Sequence, residues 1–460
     1  MFFLRYLAFQ KVGAVILEHV LLVTCAFINV WRLTPVQPTV KSIAWSLFSA
    51  FVIAITFQLF LHLKDAYDFA ARPSTSKFLL GLLQAILLAS VFLFAIHVMV
   101  PGMSVGAANL TITLVSTSLV LTTWHFSVRA YFRTSNRRSN ILIMGTGALA
   151  RALATEILRH REFGLAVRGF VDDDPALVGV SIVNPKVLGL NTELRQIVAQ
   201  NKIDGIFVEL HDRRGRLPVG ELLELKMRGV VVEEATSVYE RVTGKIAIEN
   251  LKASWMVFGE GFEVSRRVLL QKQIVSFSVS LLLLLVCLPL FPLIALLIKL
   301  DSDGPVFFRQ ERVGQDGRTF SLLKFRSMRQ DAEQKTGPVW ARPDDNRVTR
   351  VGKLLRRTRL DEVPQLINVL KGNMDLVGPR PERPKFVQDL STAIPFYALR
   401  HCIKPGITGW AQINYGYGSS VEDAIEKLQY DLFYIKNISW ALDLLIVLNT
   451  IKTVLVRRGS

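Results

Sequence analysis

The stretch IVSFSVSLLLLLVCLPLFPLIALLIKL (Ile274–Leu300) is apolar enough for a membrane, yet it is interrupted by Pro289 and Pro292. Proline has no backbone N–H and its ring clashes with the preceding turn, so it breaks or kinks a helix. Basic residues lie on both sides: Arg266, Arg267 and Lys272 before the run, Lys299, Arg309 and Arg312 around and after it. A straight span would carry everything that follows to the opposite face of a bilayer, whereas a helix bent at Pro289 could enter and return to the same face. With both flanks basic, charge does not choose between them. A bent helix would need its freed carbonyls satisfied by protein or polar groups.

Upstream lie four more apolar segments, near Val12–Val30, Ile43–Leu61, Phe78–Val100 and Ala107–Phe126. Each is close to the roughly 20 residues that a spanning helix needs. Lys64, Arg72 and Lys77 stand between the second and third, and Arg129, Arg133, Arg137 and Arg138 close the fourth, while Pro101–Gly106 carries no charge. Positively charged loops stay cytoplasmic, which predicts both chain ends of this four-helix region on the cytoplasmic side. No cleavable signal pattern is evident at the N-terminus, so the first segment reads as retained. Glu18 and His19 interrupt it; ionisable groups in a span either serve function or face neighbouring helices, and both readings stand. The whole chain agrees with a membrane setting: of 460 residues half are hydrophobic, and the formal charge is +17, with a mean hydropathy of +0.34. So basic a chain suits an anionic membrane face or a phosphate-rich substrate. Cys25, Cys287 and Cys402 are too scattered for a disulfide framework or a zinc site.

Between Ser139 and Asn250 the pattern changes to alternating strands and helices. Ile141–Met144 is a short strand followed by Gly145-Thr-Gly147-Ala-Leu-Ala150 and a helical stretch to Arg159. A second strand ends at Gly169–Val171, just before Asp172-Asp-Asp174; Gly205–Val208 and Gly229–Val232 read as further strands. This alternation predicts a parallel, doubly wound Rossmann-like sheet. Gly145 and Gly147 form the GxGxxA turn that lets a backbone approach a pyrophosphate at a helix N-terminus, with Asp172 placed for a ribose. Nucleotide binding and a structural role both remain open, because fold alone does not give function.

After Asp301 the chain becomes basic and rich in motifs, and Ile438–Val456 reads as a helix in the membrane interface or docked on the core. Arg347, Arg350, Lys353, Arg356, Arg357 and Arg359 lead into Leu360-Asp361-Glu362-Val363-Pro364-Gln365. Taken alone, such a run is a solvated, salt-bridged helix face. Its chemical reading is different: cations neutralise a pyrophosphate so that a carboxylate can approach. Aspartate can attack phosphorus to form an acyl phosphate, and a neighbouring glutamate can hold Mg²⁺, which prefers oxygen ligands.

Five motifs, in order, settle on the second reading: Gly304-Pro-Val-Phe-Phe-Arg-Gln-Glu-Arg-Val-Gly314, Leu323-Lys-Phe-Arg-Ser-Met328, Leu360-Asp-Glu-Val-Pro-Gln-Leu-Ile-Asn-Val-Leu370, Val377-Gly-Pro-Arg-Pro-Glu382 and Lys404-Pro-Gly-Ile-Thr-Gly-Trp-Ala-Gln-Ile413. From about Lys272 onward the chain resembles the bacterial sugar transferases, the monotopic phosphoglycosyl transferases that act on polyprenyl phosphates. The resemblance implies that Asp361 is the nucleophile on the sugar-bearing phosphate of a UDP-sugar, expelling UMP, and that Glu362 binds Mg²⁺. Undecaprenyl phosphate would then accept the sugar phosphate. It further implies that Lys324, Arg326, Arg380 and Glu382 shape the phosphate and metal site, and that Ile274–Leu300 is a re-entrant helix broken at Pro289. The active site would then lie on the cytoplasmic face of the bacterial inner membrane.

Two positions depart from the family pattern. Leu288 stands where serine often precedes the proline of the break, so any capping hydroxyl must come from elsewhere. Gly372-Asn-Met-Asp375 stands where Gly-Asp-Met-Ser is usual, which makes Asn373 a weaker ligand if that position contributes to the metal site.

The architecture resembles the family's long members: a transmembrane four-helix region over 1–138, a Rossmann-like domain over 139–250, and a mostly α-helical transferase domain over 251–460. Tyr239-Glu-Arg-Val-Thr-Gly-Lys245 and Ala253-Ser-Trp255 look like the subgroup associated with exosortase-type loci, which implies initiation of an exopolysaccharide or capsule. The likeness to long members allows a homodimer. Three other functions compete. A membrane scaffold with a nucleotide-sensing central domain is opposed by the intact Asp361-Glu362 pair. A nucleotide-sugar dehydratase is opposed by the absence of Tyr-x-x-x-Lys in 139–250. A nucleic-acid binder is opposed by the lack of a basic helix with interleaved aromatics.

Overall fold

The computed structural model describes residues 2–33, 39–67, 75–99, 107–134, 139–160, 164–209, 217–248, 262, 265–330, 347–416, 418 and 420–456. Arg72, Pro101–Gly106, Arg137, Arg138 and Ala253–Trp255, all used in the sequence reading, lie outside them. The chain divides into two compact units, Met1–Val242 and Thr243–Ser460.

The first unit opens with four long helices, α1 (Phe2–Leu33), α2 (Val40–Leu63), α3 (Thr75–Met99) and α4 (Ala107–Thr134). Val12–Arg32, Val40–Leu63 and Thr75–Met99 are each long and apolar enough to cross a membrane. Small residues (Ala26, Ala50, Ala54, Ala85, Ala89) sit among Leu22, Phe57, Leu61, Leu82 and Leu93 at the buried contacts. Small side chains let helix backbones approach closely where lipid supplies no hydrophobic drive. Larger apolar side chains such as Leu83, Leu87 and Val91 point outward. In α4 the hydroxyls of Thr113, Thr117, Ser118 and Thr122 donate to carbonyls one turn back, at 2.6–2.8 Å, so they need no water. Glu18 and His19 both face neighbours. Glu18 Oε1 accepts from Tyr67 Oη at 2.6 Å and Oε2 lies 3.2 Å from His125 Nε2, while His19 Nδ1 pairs with Gln58 Oε1 at 2.8 Å.

The rest of this unit is β1 (Ser139–Met144), α5 (Ala148–Arg159), β2 (Leu165–Asp172), β3 (Val187–Leu190), α6 (Leu194–Gln200), β4 (Gly205–Val208), α7 (Val219–Met227), β5 (Val231–Glu234) and α8 (Ala235–Thr243). The strands pair in the order β3-β2-β1-β4-β5, all parallel. This is the doubly wound sheet predicted from the alternation, with its order reversing between β1 and β4. Leu142, Met144, Val171, Ile206, Leu194 and Leu222 form one face of its core.

The second unit contains α9 (Arg266–Cys287), α10 (Leu290–Asp301), the antiparallel hairpin β6 (Phe307–Val313) and β7 (Thr319–Phe325), α11 (Arg350–Arg357), α12 (Gln365–Leu370), β8 (Asp375–Val377), α13 (Pro384–Ala393), β9 (Gly406–Thr408), α14 (Trp410–Asn414), α15 (Val421–Lys436) and α16 (Trp440–Val456). It begins at Thr243, and Ile246 and Ile248 are buried in it with Leu428, Leu432 and Ile435. Trp410 Nε1 also donates to Gly244 O at 2.8 Å. The apolar run is broken at Leu288–Pro289, between α9 and α10. Both arms are fastened to this one unit. On α9, Lys272 Nζ donates to Val377 O and Tyr434 Oη, each at 2.6 Å, and to Asp443 Oδ2 at 2.9 Å. On α10, Ile294 and Ile298 pack with Phe325 and Leu355, and Asp301 Oδ2 accepts from Val351 N at 2.8 Å. Between the anchored ends, Leu282, Leu285, Val286, Leu288 and Leu293 are exposed. Helix α16 is docked on the core: Ile446 is fully buried and Asp443 turns inward to Lys272.

Candidate active site

Thr349 caps α11, its Oγ1 accepting from Gly352 N at 3.0 Å, and Gly352 lies so close to Ser327 that a Cβ would stand 2.0 Å from Ser327 O. The helix ends at Arg357, and two residues on Arg359 has a left-handed φ of +57°. A non-glycine residue there is uncommon, and it turns Leu360-Asp361-Glu362 into a tight 3-10 turn before Pro364 and α12. Leu360 packs against the cluster of Ile294, Phe325 and Leu355. The two carboxylates after it are drawn inward, Asp361 only 7 % and Glu362 9 % exposed. A solvated helix face would leave them in water, so the burial decides against that reading.

Two cations converge on Glu362 Oε1: Lys324 Nζ from β7 at 2.8 Å and Arg380 Nη2 at 3.1 Å. Burial by itself would raise the pKa of Glu362, but the charges of Lys324 and Arg380 outweigh it and hold the group well below the usual carboxylate range. Asp361 goes the other way. Burial pushes its pKa up, the charge of Glu362 adds to that, and Lys324, Arg356 and Arg359 pull only partly back. Asp361 Oδ1 is buried and accepts no hydrogen bond among the described residues. Neighbouring carboxylates pushed apart in pKa are suited to separate tasks: Glu362 is a fixed charge, and Asp361 is a poorly solvated, more basic oxygen available to attack an electrophile.

The structure brings Lys324 and Arg380 to the pair and seats Arg326 and Glu382 on other partners. The Arg326 side chain, 5 % exposed, donates through Nη2 to Ser302 O at 2.6 Å and to Ser302 Oγ at 3.0 Å. Glu382 Oε2 lies 3.4 Å from Arg312 Nη1. Asp375 is raised in pKa by burial, with Lys272 and Lys404 opposing, and Asn373 N donates to Asn368 O at 3.0 Å.

Sequence reasoning missed two supporting groups. Asn368 zips α12 to β7, accepting from Leu323 N at 3.0 Å and donating to Ser321 O at 2.8 Å, beside Lys324. Arg400, buried against Asp431 at 2.7 Å, donates to the backbone carbonyl of Arg380 at 3.1 Å. Asn368 stood within a quoted motif and could have been found there; the Arg400–Asp431 pair has no local signal.

Among the described residues no three His, Cys, Asp or Glu side chains form a metal-sized cluster. Mg²⁺ commonly takes one or two protein carboxylates and completes its shell with phosphate oxygens and water. The Glu362 carboxylate, whose two cation contacts both fall on Oε1, fits that sparse donor set.

In the central sheet, Gly145 and Gly147 lie on the β1–α5 turn, Gly145 with a φ of +102°. Asp172, at the end of β2, accepts from Thr146 Oγ1 at 2.8 Å. The space over both glycines is taken by Glu209.

The bacterial sugar transferase family model matches residues 267–457, the segment that holds every one of these transferase-site residues. A glucose-1-phosphate transferase of Caulobacter vibrioides, named for UDP-glucose and undecaprenyl phosphate, is 43 % identical over 192 residues, covering 40 % of this chain and 70 % of that protein. This chain belongs to the bacterial sugar transferase family. Two longer relatives bear related names. The UDP-N-acetylgalactosamine-undecaprenyl-phosphate N-acetylgalactosaminephosphotransferase of Aeromonas hydrophila is 44 % identical over 238 residues, 50 % of this chain and 54 % of that one. The undecaprenyl-phosphate glucose phosphotransferase of Komagataeibacter xylinus is 35 % identical over 327 residues, 70 % of this chain and 60 % of that one. The chain thus spans less than two thirds of the length of these two. Within this bacterial sugar transferase, Asp361 and Glu362 are the buried carboxylates on which the transferase motifs converge.

Proposed function

We propose that this bacterial sugar transferase moves a sugar 1-phosphate from a UDP-sugar to a polyprenyl phosphate such as undecaprenyl phosphate. The observation that carries the reading is the buried Asp361–Glu362 pair, with Glu362 clamped by Lys324 and Arg380 and Asp361 Oδ1 without a partner among the described residues. An Asp361 oxygen attacks the sugar-bearing phosphorus. The bond from that phosphorus to the bridging oxygen breaks, and UMP leaves with the oxygen and its electron pair. A phosphate oxygen of the lipid then attacks the same phosphorus, breaking the phosphorus–oxygen bond of the Asp361 acyl phosphate and restoring the carboxylate. Dividing the transfer into two displacements is the advantage of a covalent nucleophile. Lys324, Arg380 and the basic run ending at Arg359 offset the charge that gathers on the phosphates. Mg²⁺, held by Glu362 and the phosphates, would lower that charge further and orient the leaving group.

The broken helix supports the lipid half of the reaction. Its two arms are anchored on one unit and the stretch between them is bare and apolar, as a helix that enters one leaflet and returns requires. That keeps the site at the cytoplasmic face, where a water-soluble donor meets a lipid acceptor. The names of the relatives point to glucose or N-acetylgalactosamine donors, and the product suits the first membrane step of an exopolysaccharide or capsule. The exosortase-associated subgroup rests on Tyr239–Lys245 together with Ala253–Trp255.

The test is UMP release from purified protein given Mg²⁺, undecaprenyl phosphate and a panel of UDP-sugars. UMP from one sugar, dependent on lipid and lost in Asp361→Asn, is the expected result. No UMP from any sugar, beside a working control enzyme, would turn the reading toward a membrane scaffold.

A further inference from the structure

In a doubly wound sheet, ligands bind outside the carboxyl ends of the strands at the point where strand order reverses. Here that point lies between β1 and β4, and Glu209, the residue after β4, stands in it. Its backbone N donates to Met144 O at 2.7 Å, and its side chain reaches over the β1–α5 turn. A Cβ on Gly147 would lie 2.6 Å from Glu209 Oε1 and 2.8 Å from Oε2, and one on Gly145 would lie 2.2 Å from Glu209 O. Leu149 N, in the first turn of the 12-residue α5, donates to Glu209 Oε1 at 3.1 Å. The side chain is 7 % exposed, and Oε2 has no partner among the described residues. Without an N–H of its own it rests in the positive field of the helix N-terminus, where an anion is stabilised.

We propose that the Glu209 carboxylate is a built-in substitute for a nucleotide phosphate, so that this turn binds no pyrophosphate. The glycines and the acid form one device: the missing side chains at Gly145 and Gly147 admit Glu209, where in a nucleotide-binding turn they would admit phosphate. A diphosphate seated here would have to displace a buried carboxylate or lie against it, charge to like charge. The adjoining cleft of about 690 Å³ reinforces the exclusion. Its lining includes Asp172, Asp173, Asp174 and Glu221, four acids where the rest of an anionic nucleotide would extend. Asp172, placed for a ribose on sequence grounds, is held instead by Thr146. The central sheet is therefore internally capped, and its part in the protein is structural.

Two measurements on the full chain in detergent test this. Titration with NADH, followed by its fluorescence and by thermal shift, is expected to show no binding to the wild type. Glu209→Ala is expected to melt several degrees lower, with millimolar inorganic pyrophosphate restoring part of that loss in the variant and giving the wild type no matching rise. NADH binding by the wild type that weakens in Gly147→Ala would overturn the proposal. So would a Glu209→Ala protein that melts normally, or one that pyrophosphate does not rescue. The wild-type titration decides even if Glu209→Ala fails to fold.

Discussion

Asp361→Asn is expected to make the protein more stable while abolishing turnover. The folded state holds Asp361 nearly buried, beside Glu362, with Oδ1 lacking a donor among the described residues. An unsatisfied buried polar atom costs about 1–3 kcal/mol, and more when charged. Asparagine keeps the shape, removes the like charge and brings an N–H₂ that can donate to Glu362. A gain of about 1–3 kcal/mol corresponds to a rise of roughly 2–12 °C, at about 2–4 °C per kcal/mol for a unit of this size. The pH dependence has a definite sign. Burial, then the charge of Glu362, raises the folded carboxyl above the ordinary value of about 3.9 that it has in the unfolded chain. Between those two values the folded protein holds the extra proton, so wild-type stability falls as pH rises through that window. Asparagine has no such fall, so the gap between variant and wild type opens with rising pH. Thermal unfolding at one scan rate, from about pH 4 to about pH 8, measures it, since a detergent-solubilised protein reports an operational midpoint. A variant that is no more stable than wild type at neutral pH would refute the strain at Asp361. One that turns over normally would remove Asp361 as nucleophile.

Lys324→Met should cut UMP release by about 10²-fold or more and move the acid limb of the rate profile upward, because Lys324 lowers the pKa of Asp361. Glu362→Gln should move that limb downward and weaken rate and Mg²⁺ response together; an unchanged metal response would place the metal elsewhere. Lys272→Met should destabilise by about 3–5 kcal/mol, because it leaves Asp443 without its buried cation. Lys272→Met combined with Asp443→Leu should then cost less than the sum of the single changes, read from melting midpoints. Gly304→Ala should cost at least about 1 kcal/mol, since φ there is +118° and a Cβ would stand 2.1 Å from Arg326 Nη1; a normal melt would show that the loop simply shifts.

What the sequence by itself determined was local or periodic. Apolar runs of membrane length, the strand–helix alternation after Ser139, the proline break at Pro289 and the order of the transferase motifs are all read along the chain. Each depends on neighbours within a few turns. Tertiary structure decided what depends on residues far apart. Asp361 and Glu362 are adjacent and look alike on paper. Only the approach of Lys324 and Arg380 to one of them, at 2.8 and 3.1 Å, separates a fixed charge from a basic oxygen. Arg326 and Glu382 share motifs with those cations, but backbone direction seats them on Ser302 and Arg312. The glycine turn shows the same limit most sharply. Its spacing is that of a phosphate cradle, and the acid that fills it stands more than sixty residues further along the chain, where only the pairing of β1 with β4 brings it back. Spacing reports the conformations a backbone can adopt. What occupies the space so made is set by side chains that the fold delivers from elsewhere.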